Sequence, residues 1–178
     1  MTAFVGLLRA VNVGGRKLPM AEFRAQVAKL GWENVATHIQ SGNLVFDAPC
    51  GPAEAETAIE ALIREHYGYE APAIVRTRAQ WAHYPDSNPF PDVAREMPGY
   101  LLMLLSKQPP RADAATAIEA RATMGEQARQ ADDAIWIHFP EGSGKSKLTP
   151  ALIDKAVGSP ATSRNYRTVC TLLDMLDT

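Results

Sequence analysis

Apolar residues in the first part of the chain change their spacing in a definite order, and few folds accept that order. Thr2–Val11 is a largely apolar run of strand type. Asn12-Val13-Gly14-Gly15-Arg16-Lys17 breaks it, with paired glycines that permit positive φ. Pro19 suits the first turn of a helix, and Met20, Phe23, Val27 and Leu30 then recur at helical spacing until Gly31. Trp32–Gln40 reads as a strand, Ser41-Gly42-Asn43 as a turn, and Leu44-Val45-Phe46 as the returning strand. A second helix opens at Gly51-Pro52, turns Ala55, Ile59, Leu62 and Ile63 inward, and stops at Gly68. Ala73–Thr77 is a fourth strand. The order β-α-β-β-α-β predicts the split βαβ, or ferredoxin-like, plan, in which two helices cover one face of an antiparallel sheet.

Periodicity fails between Trp81 and Gly99, where His83–Pro91 is rich in turn residues. Residues 82–98 therefore read as a connection, with room for a short helix. Tyr100–Ser106 is a buried strand, Ala112–Ala122 a helix, and Gly125–Gln130 with Ala134–Phe139 a hairpin about Asp132-Asp133. Thr149-Pro150 opens a helix that ends at Gly158, and Thr162 or Ser163 is expected to cap a last helix. This half reads β-α-β-β-α-α, with no clear closing strand. The expected fold class is α+β: two ferredoxin-like (βαββαβ-type) lobes, residues 1–81 and 99–178, joined by residues 82–98, with antiparallel sheets backed by helices. The duplication rests on element order alone, since no residue-level repeat is visible. The apolar stripes place Phe4, Phe23, Leu30, Ile39, Leu102, Leu104, Ile153 and Leu173 among the core residues.

The 178 residues carry 18 Lys and Arg against 20 Asp and Glu, a formal net charge of -2. That balance excludes a polybasic nucleic-acid arm and a disordered tail. No apolar run approaches the roughly 20 residues that span a bilayer, and Ala3–Leu8 is too short for a secretory signal. Cys50 and Cys170 have no metal or redox spacing. A reduced cytoplasmic protein without metal or cofactor is the expectation.

Charge placement says more than net charge. Nine of the 18 bases fall in four acid-poor stretches: Arg9 with Arg16 and Lys17, Arg76 with Arg78, Lys145 with Lys147, and Arg164 with Arg167. If the fold gathers these loops they form an anion site; otherwise they are scattered solvated bases. Gly144-Lys145-Ser146 suggests a phosphate loop, but the pattern needs glycine at position 139, where Phe139 stands. A simpler anion-binding loop, or a plain surface turn, fits the same residues. Gly14 and Gly15 allow close backbone approach to a ligand, and Asn12 offers donor and acceptor; the alternative is a strand-to-helix link of unusual φ. Gln40, Ser41 and Asn43 crowd a hairpin tip, where such residues ordinarily satisfy the turn. The four histidines show no metal spacing, and neither serine nor cysteine carries a nucleophile motif.

Several of these segments occur together. Arg9–Gly15, Met20, Leu30-Gly31, Ile39–Phe46, Val75-Arg76-Thr77, Asn88-Pro89-Phe90, Ser146–Thr149 and Thr162–Val169 resemble the bacterial family called domain of unknown function 1697. That family often has Thr and Trp where Ser163 and Tyr166 stand here. The resemblance implies a compact bacterial α+β protein with two ferredoxin-like lobes, and no established reaction or substrate. Its motifs are mostly polar loops, where binding residues usually lie.

The leading expectation is a binding module for a phosphate-bearing ligand, nucleic acid or small molecule. Arg9, Lys17, Lys145, Lys147 and Arg164 would meet phosphates; Asn12, Gln40, Ser41, Asn43 and Asn165 would contact polar edges, with Gly14 and Gly15 supplying backbone. The Asn12–Lys17 loop, the Gln40–Asn43 turn and the loop before Thr149 are expected on one surface. The alternatives are an enzyme acting on a small anionic metabolite, or a protein-interaction module with an exposed apolar patch.

Overall fold

The computed structural model describes residues 1–177. The chain divides into two compact units. One is formed by Met1–Ala82 and the stretch from Leu172 onward, the other by His83–Thr171.

In the first unit β1 (Thr2–Leu8) leads to α1 (Met20–Ala28), β2 (Glu33–His38), β3 (Asn43–Ala48), α2 (Pro52–Tyr67) and β4 (Ala73–Thr77). The sheet order is β2-β3-β1-β4, and every pair is antiparallel. Phe4 to Leu8 are buried without a break, so central strand β1 has side chains inside on both faces. That is why its sequence is a continuous apolar run rather than an alternating one. Phe4, Leu8 and Phe46 share one core with Phe23 and Val27 of α1 and Ile59 and Ile63 of α2. Trp32 stacks on Phe46 with ring centroids 4.5 Å apart.

Two residues expected in this core lie at the surface. Leu30 is 43% exposed because α1 ends at Ala28 and Leu30 turns out in the helix exit, its N–H on the Val27 carbonyl. Ile39 is 54% exposed because β2 stops at His38 and Ile39 takes φ 53°, which ends the strand alternation. β1 likewise ends at Leu8 rather than Val11, with Ala10 at φ 56°.

The following elements are α3 (Arg78–Ser87), α4 (Pro91–Glu96), β5 (Leu101–Ser106), α5 (Ala114–Glu119), β6 (Gln127–Ala131), β7 (Ala134–His138), α6 (Pro150–Val157), β8 (Ala161–Asn165) and α7 (Tyr166–Met175). The second sheet, β6-β7-β5-β8, is antiparallel throughout and repeats the order of the first. The closing strand missing from the β-α-β-β-α-α reading is therefore present as β8. Thr162 and Ser163 lie within it and cap nothing; the side-chain oxygen of Asn165 takes that role, accepting the Thr168 N–H at 3.0 Å. Leu104, Ile118, Ile135 and Val157 form the second core. Leu102 and Ile153 are only half-buried against it, as is Leu173 in the first unit.

Most of residues 82–98 is helical rather than a turn-rich connection. Trp81 and Tyr84, three apart on α3, are buried although Pro85 follows inside the helix. The Tyr84 hydroxyl donates to Asp133 at 2.9 Å. Asn88 accepts the Phe90 N–H at 2.8 Å, the turn that opens α4.

Candidate functional site

Residues 11–17 of the first unit form a small tongue. Val13 and Arg16 pair as a β-bridge, with Gly14 at φ 57° and Gly15 at φ 82° between them, a two-residue turn that needs left-handed backbone twice. Asn12 pins the tongue. Its side-chain amide donates to the Gln40 carbonyl at 2.7 Å and the Leu18 carbonyl at 3.1 Å, and its oxygen accepts the Leu18 N–H at 2.8 Å. The Asn12–Lys17 loop and the Gln40–Asn43 turn are thus brought together, but Asn12 is spent on holding them. Asn43 is fully buried and donates to the His38 carbonyl and the Ser41 hydroxyl, both at 3.0 Å. These two amides are clamps of the fold.

The rest of the first-unit set divides by exposure. Arg9 is half-buried and its backbone N–H donates to the Pro72 carbonyl. Gly14, Gly15, Lys17, Gln40 and Ser41 are exposed. Arg16 lies over the Tyr69 ring at 5.8 Å, while the Tyr69 hydroxyl donates to the Lys17 carbonyl at 3.2 Å. Burial pushes the Tyr69 phenol up, against the opposing pull of the Arg16 charge.

Lys145, Lys147, Arg164 and Asn165 belong to the second unit. Arg164 is buried in β8, donating to the Thr162 hydroxyl and the Ser163 carbonyl, and burial pulls its guanidinium down to about 10. Its place in the sheet makes it a structural base. Ser146 donates to Glu126 and accepts the Leu148 N–H at 3.1 Å, so the Gly-Lys-Ser segment is tied down by a buried carboxylate rather than shaped as a phosphate loop. Burial raises the Glu126 carboxyl, but hydrogen bonds from Ser146 and the local amides outweigh it and leave the group below its ordinary range. Lys145 and Lys147 project from this loop, exposed.

The loop leads into a basic feature of this unit, a groove of about 670 Å³ between α5 and α6. Arg111, Arg121 and Lys155 line it over a floor that includes Ala117, Leu152 and Ala156. Asp113 is its one acid, and it is paired with Arg111 at 3.3 Å. Among the described residues Arg121, Lys145, Lys147 and Lys155 make no ion pair. The groove runs along α6. Thr149 at the helix start lines it and caps the Leu152 N–H, and the Arg111 N–H meets the Val157 carbonyl at the helix end. Sequence reasoning missed Arg111, Arg121 and Lys155 because each stands within two residues of an acid in the chain and only the packing of α5 on α6 collects them. A signal was present: Lys155 falls six residues after the Thr149 cap, and Arg121 falls inside the expected Ala112–Ala122 helix. Among the described residues no cluster of His, Cys, Asp and Glu could hold a metal ion. No helix among them is long and apolar enough to cross a membrane.

A model of the family described as Protein of unknown function (DUF1697) matches residues 1–136. Of the segments that carry the resemblance, Ser146–Thr149 and Thr162–Val169 lie beyond the matched residues. Among solved structures, the conserved bacterial protein SP0830 from Streptococcus pneumoniae is similar, with 22% identity, a TM-score of 0.75 and 98% of each chain covered. At that identity the likeness is one of fold. No curated protein matches.

Proposed function

Because the chain belongs to the DUF1697 family, whose description leaves activity open, we propose from geometry that it is a binding module for a phosphate-bearing ligand seated in the α5–α6 groove. The observation that supports this reading is the pair Arg121 and Lys155, two cations without a counter-charge that line one groove. An unpaired cation at a concave surface focuses the field on an incoming anion. The groove volume falls in the range of small-ligand sites. Lys145 and Lys147 extend the same sign of charge along the approach to α6, whose N-terminal end adds a partial positive charge. The lining contains no aromatic ring, so base stacking of the single-strand kind is not its mode. Phosphate contact, from a nucleic-acid backbone or from a phosphorylated small molecule, is.

The test is a titration of labelled single- and double-stranded RNA and DNA at several salt concentrations, with mononucleotides and inorganic phosphate as competitors. Wild-type protein is expected to bind at low salt. Arg121→Ala with Lys155→Ala should weaken binding at least about tenfold and reduce the slope of log affinity against log salt by about 0.7–0.9 per lost contact. Displacement of nucleic acid by mononucleotide would assign the site to the smaller ligand. Absence of wild-type binding to every probe would overturn the proposal.

A further inference from the structure

Each four-stranded sheet has two edge strands, and an edge exposes backbone N–H and C=O groups that a foreign strand can pair with. In an antiparallel ladder these groups alternate sides, residue by residue. The Leu8 N–H bonds the Gly42 carbonyl, which fixes the alternation in the first sheet. Ala73, Val75 and Thr77 then point outward on β4, and Val35 and Thr37 on β2. In the second sheet the Phe139 N–H bonds the Tyr100 carbonyl, so Ala161, Ser163 and Asn165 point outward on β8 and Ala128 and Gln130 on β6.

Three of these edges are closed in full or in part by side chains of the same unit. On β4 the outward N–H groups of Ala73, Val75 and Thr77 donate to Glu60, Glu56 and Gln80, each at 2.9 Å. On β8 the Ala161 N–H donates to Asp154 of α6 at 3.0 Å. On β6 the Ala128 N–H donates to Glu119 of α5 at 2.8 Å, and Arg129 donates to the Ala128 carbonyl at 2.8 Å. The fourth edge, β2, has no such cover: among the described residues no side chain meets the backbone of Val35 or Thr37. Leu30 before this strand and Ile39 after it are exposed aliphatic side chains.

We propose that β2 is a self-association edge, on which β2 of a second copy of this chain pairs antiparallel to join two sheets into one of eight strands. The strand itself names the occupant. Outward residues must pair with outward residues, so a two-fold axis at Ala36 sets Val35 opposite Thr37 of the other copy and Ala36 opposite itself. Two of the residues in that register are β-branched, which suits cross-strand packing. The single charge of β2, Glu33, lies at the strand end and meets no like charge across the axis. Antiparallel pairing also carries the Leu30 end of one copy to the Ile39 end of the other. A bulge between Glu33 and Ala36 keeps the paired stretch short, so the dimer is a weak one.

The axis gives a specific test. Ala36 faces Ala36 in a non-hydrogen-bonded pair, the closer kind, so Ala36→Lys or Ala36→Glu sets like charges against each other. Sedimentation equilibrium of the full chain over a dilution series should show a monomer–dimer equilibrium for wild type. Each variant alone should be weakened at least about tenfold, and a one-to-one mixture of the two should recover dimer. Hydrogen exchange on the wild type needs no variant: the amides of Val35 and Thr37 should slow as concentration rises, while those of Ala73 and Val75 should not change. A wild type that stays monomeric at millimolar concentration would overturn the proposal. So would a dimer that leaves Val35 and Thr37 unprotected.

Discussion

Gly42 and Gly14 separate two uses of left-handed backbone at the level of a single residue. A Cβ on Gly42 would lie 2.6 Å from Val11 Cγ2 and 2.7 Å from Leu8 Cβ, whereas one on Gly14 would meet nothing within 4 Å. Both have positive φ, so alanine at either carries the left-handed penalty of about 1–2 kcal/mol. Only Gly42→Ala adds overpacking, a further 1–3 kcal/mol or so. Urea melts of the two variants should therefore differ by at least about 1 kcal/mol, with Gly42→Ala the less stable. Asn12 supports the same corner differently. Asn12→Gly keeps its φ of 55° available but strips the buried Leu18 of its N–H partner, and should cost about 1–3 kcal/mol. A loss well below 1 kcal/mol would mean that water replaces the amide.

Among the elements, most strands and helices were legible, and β8 and α3 were not. β1, α2, β4 and the β6–β7 hairpin follow from periodicity and from glycine or proline at their ends. β8 was hidden because residues 161–165 have no apolar alternation; its outward Ala161 N–H is satisfied by Asp154 and its inward partner is strand β5. α3 was hidden because Pro85 and the polar residues after it imitate a turn, while its burial comes from Trp81 and Tyr84. The same limit governs the site. Loop motifs such as Asn12, Asn43 and Ser146 stand out in sequence, yet their side chains serve as tertiary clamps that no local pattern reveals. The groove bases come from either end of α5 and from α6, which only packing brings together. Glu126 gives these loop clamps a pH signature. Its carboxyl is lowered on folding, so its contribution is complete above the ordinary carboxylate range and is lost as pH falls through the folded value. Wild type should lose more stability between pH 7 and pH 3 than Glu126→Gln, measured by denaturant melts at both. Equal losses would show that Glu126 takes no part in the acid limb.

Across the whole molecule, the two units repeat one topology but not one chain path. The second is a continuous segment, whereas the first is completed by residues from Leu172 onward, which return after the second unit is built. Contacts of such long sequence separation add loop-closure entropy that local contacts avoid. The returning segment must supply burial to offset it, and Leu172, with none of its surface exposed, is its fully buried aliphatic residue. The ion pair between Arg78 and Asp177 links the same segment to the start of α3, but both side chains are about half exposed, where such pairs contribute little. Truncation should tell the two apart. Leu172→Ala is expected to cost about 2–5 kcal/mol, and Asp177→Ala under about 1 kcal/mol. Because Leu172 groups with the first unit, native-state hydrogen exchange of Leu172→Ala should accelerate the β1 and β4 amides by at least about thirtyfold under conditions where exchange follows stability. If only the amides of β5 and β7 accelerate, the segment belongs energetically to the second unit and the discontinuous path has no thermodynamic meaning.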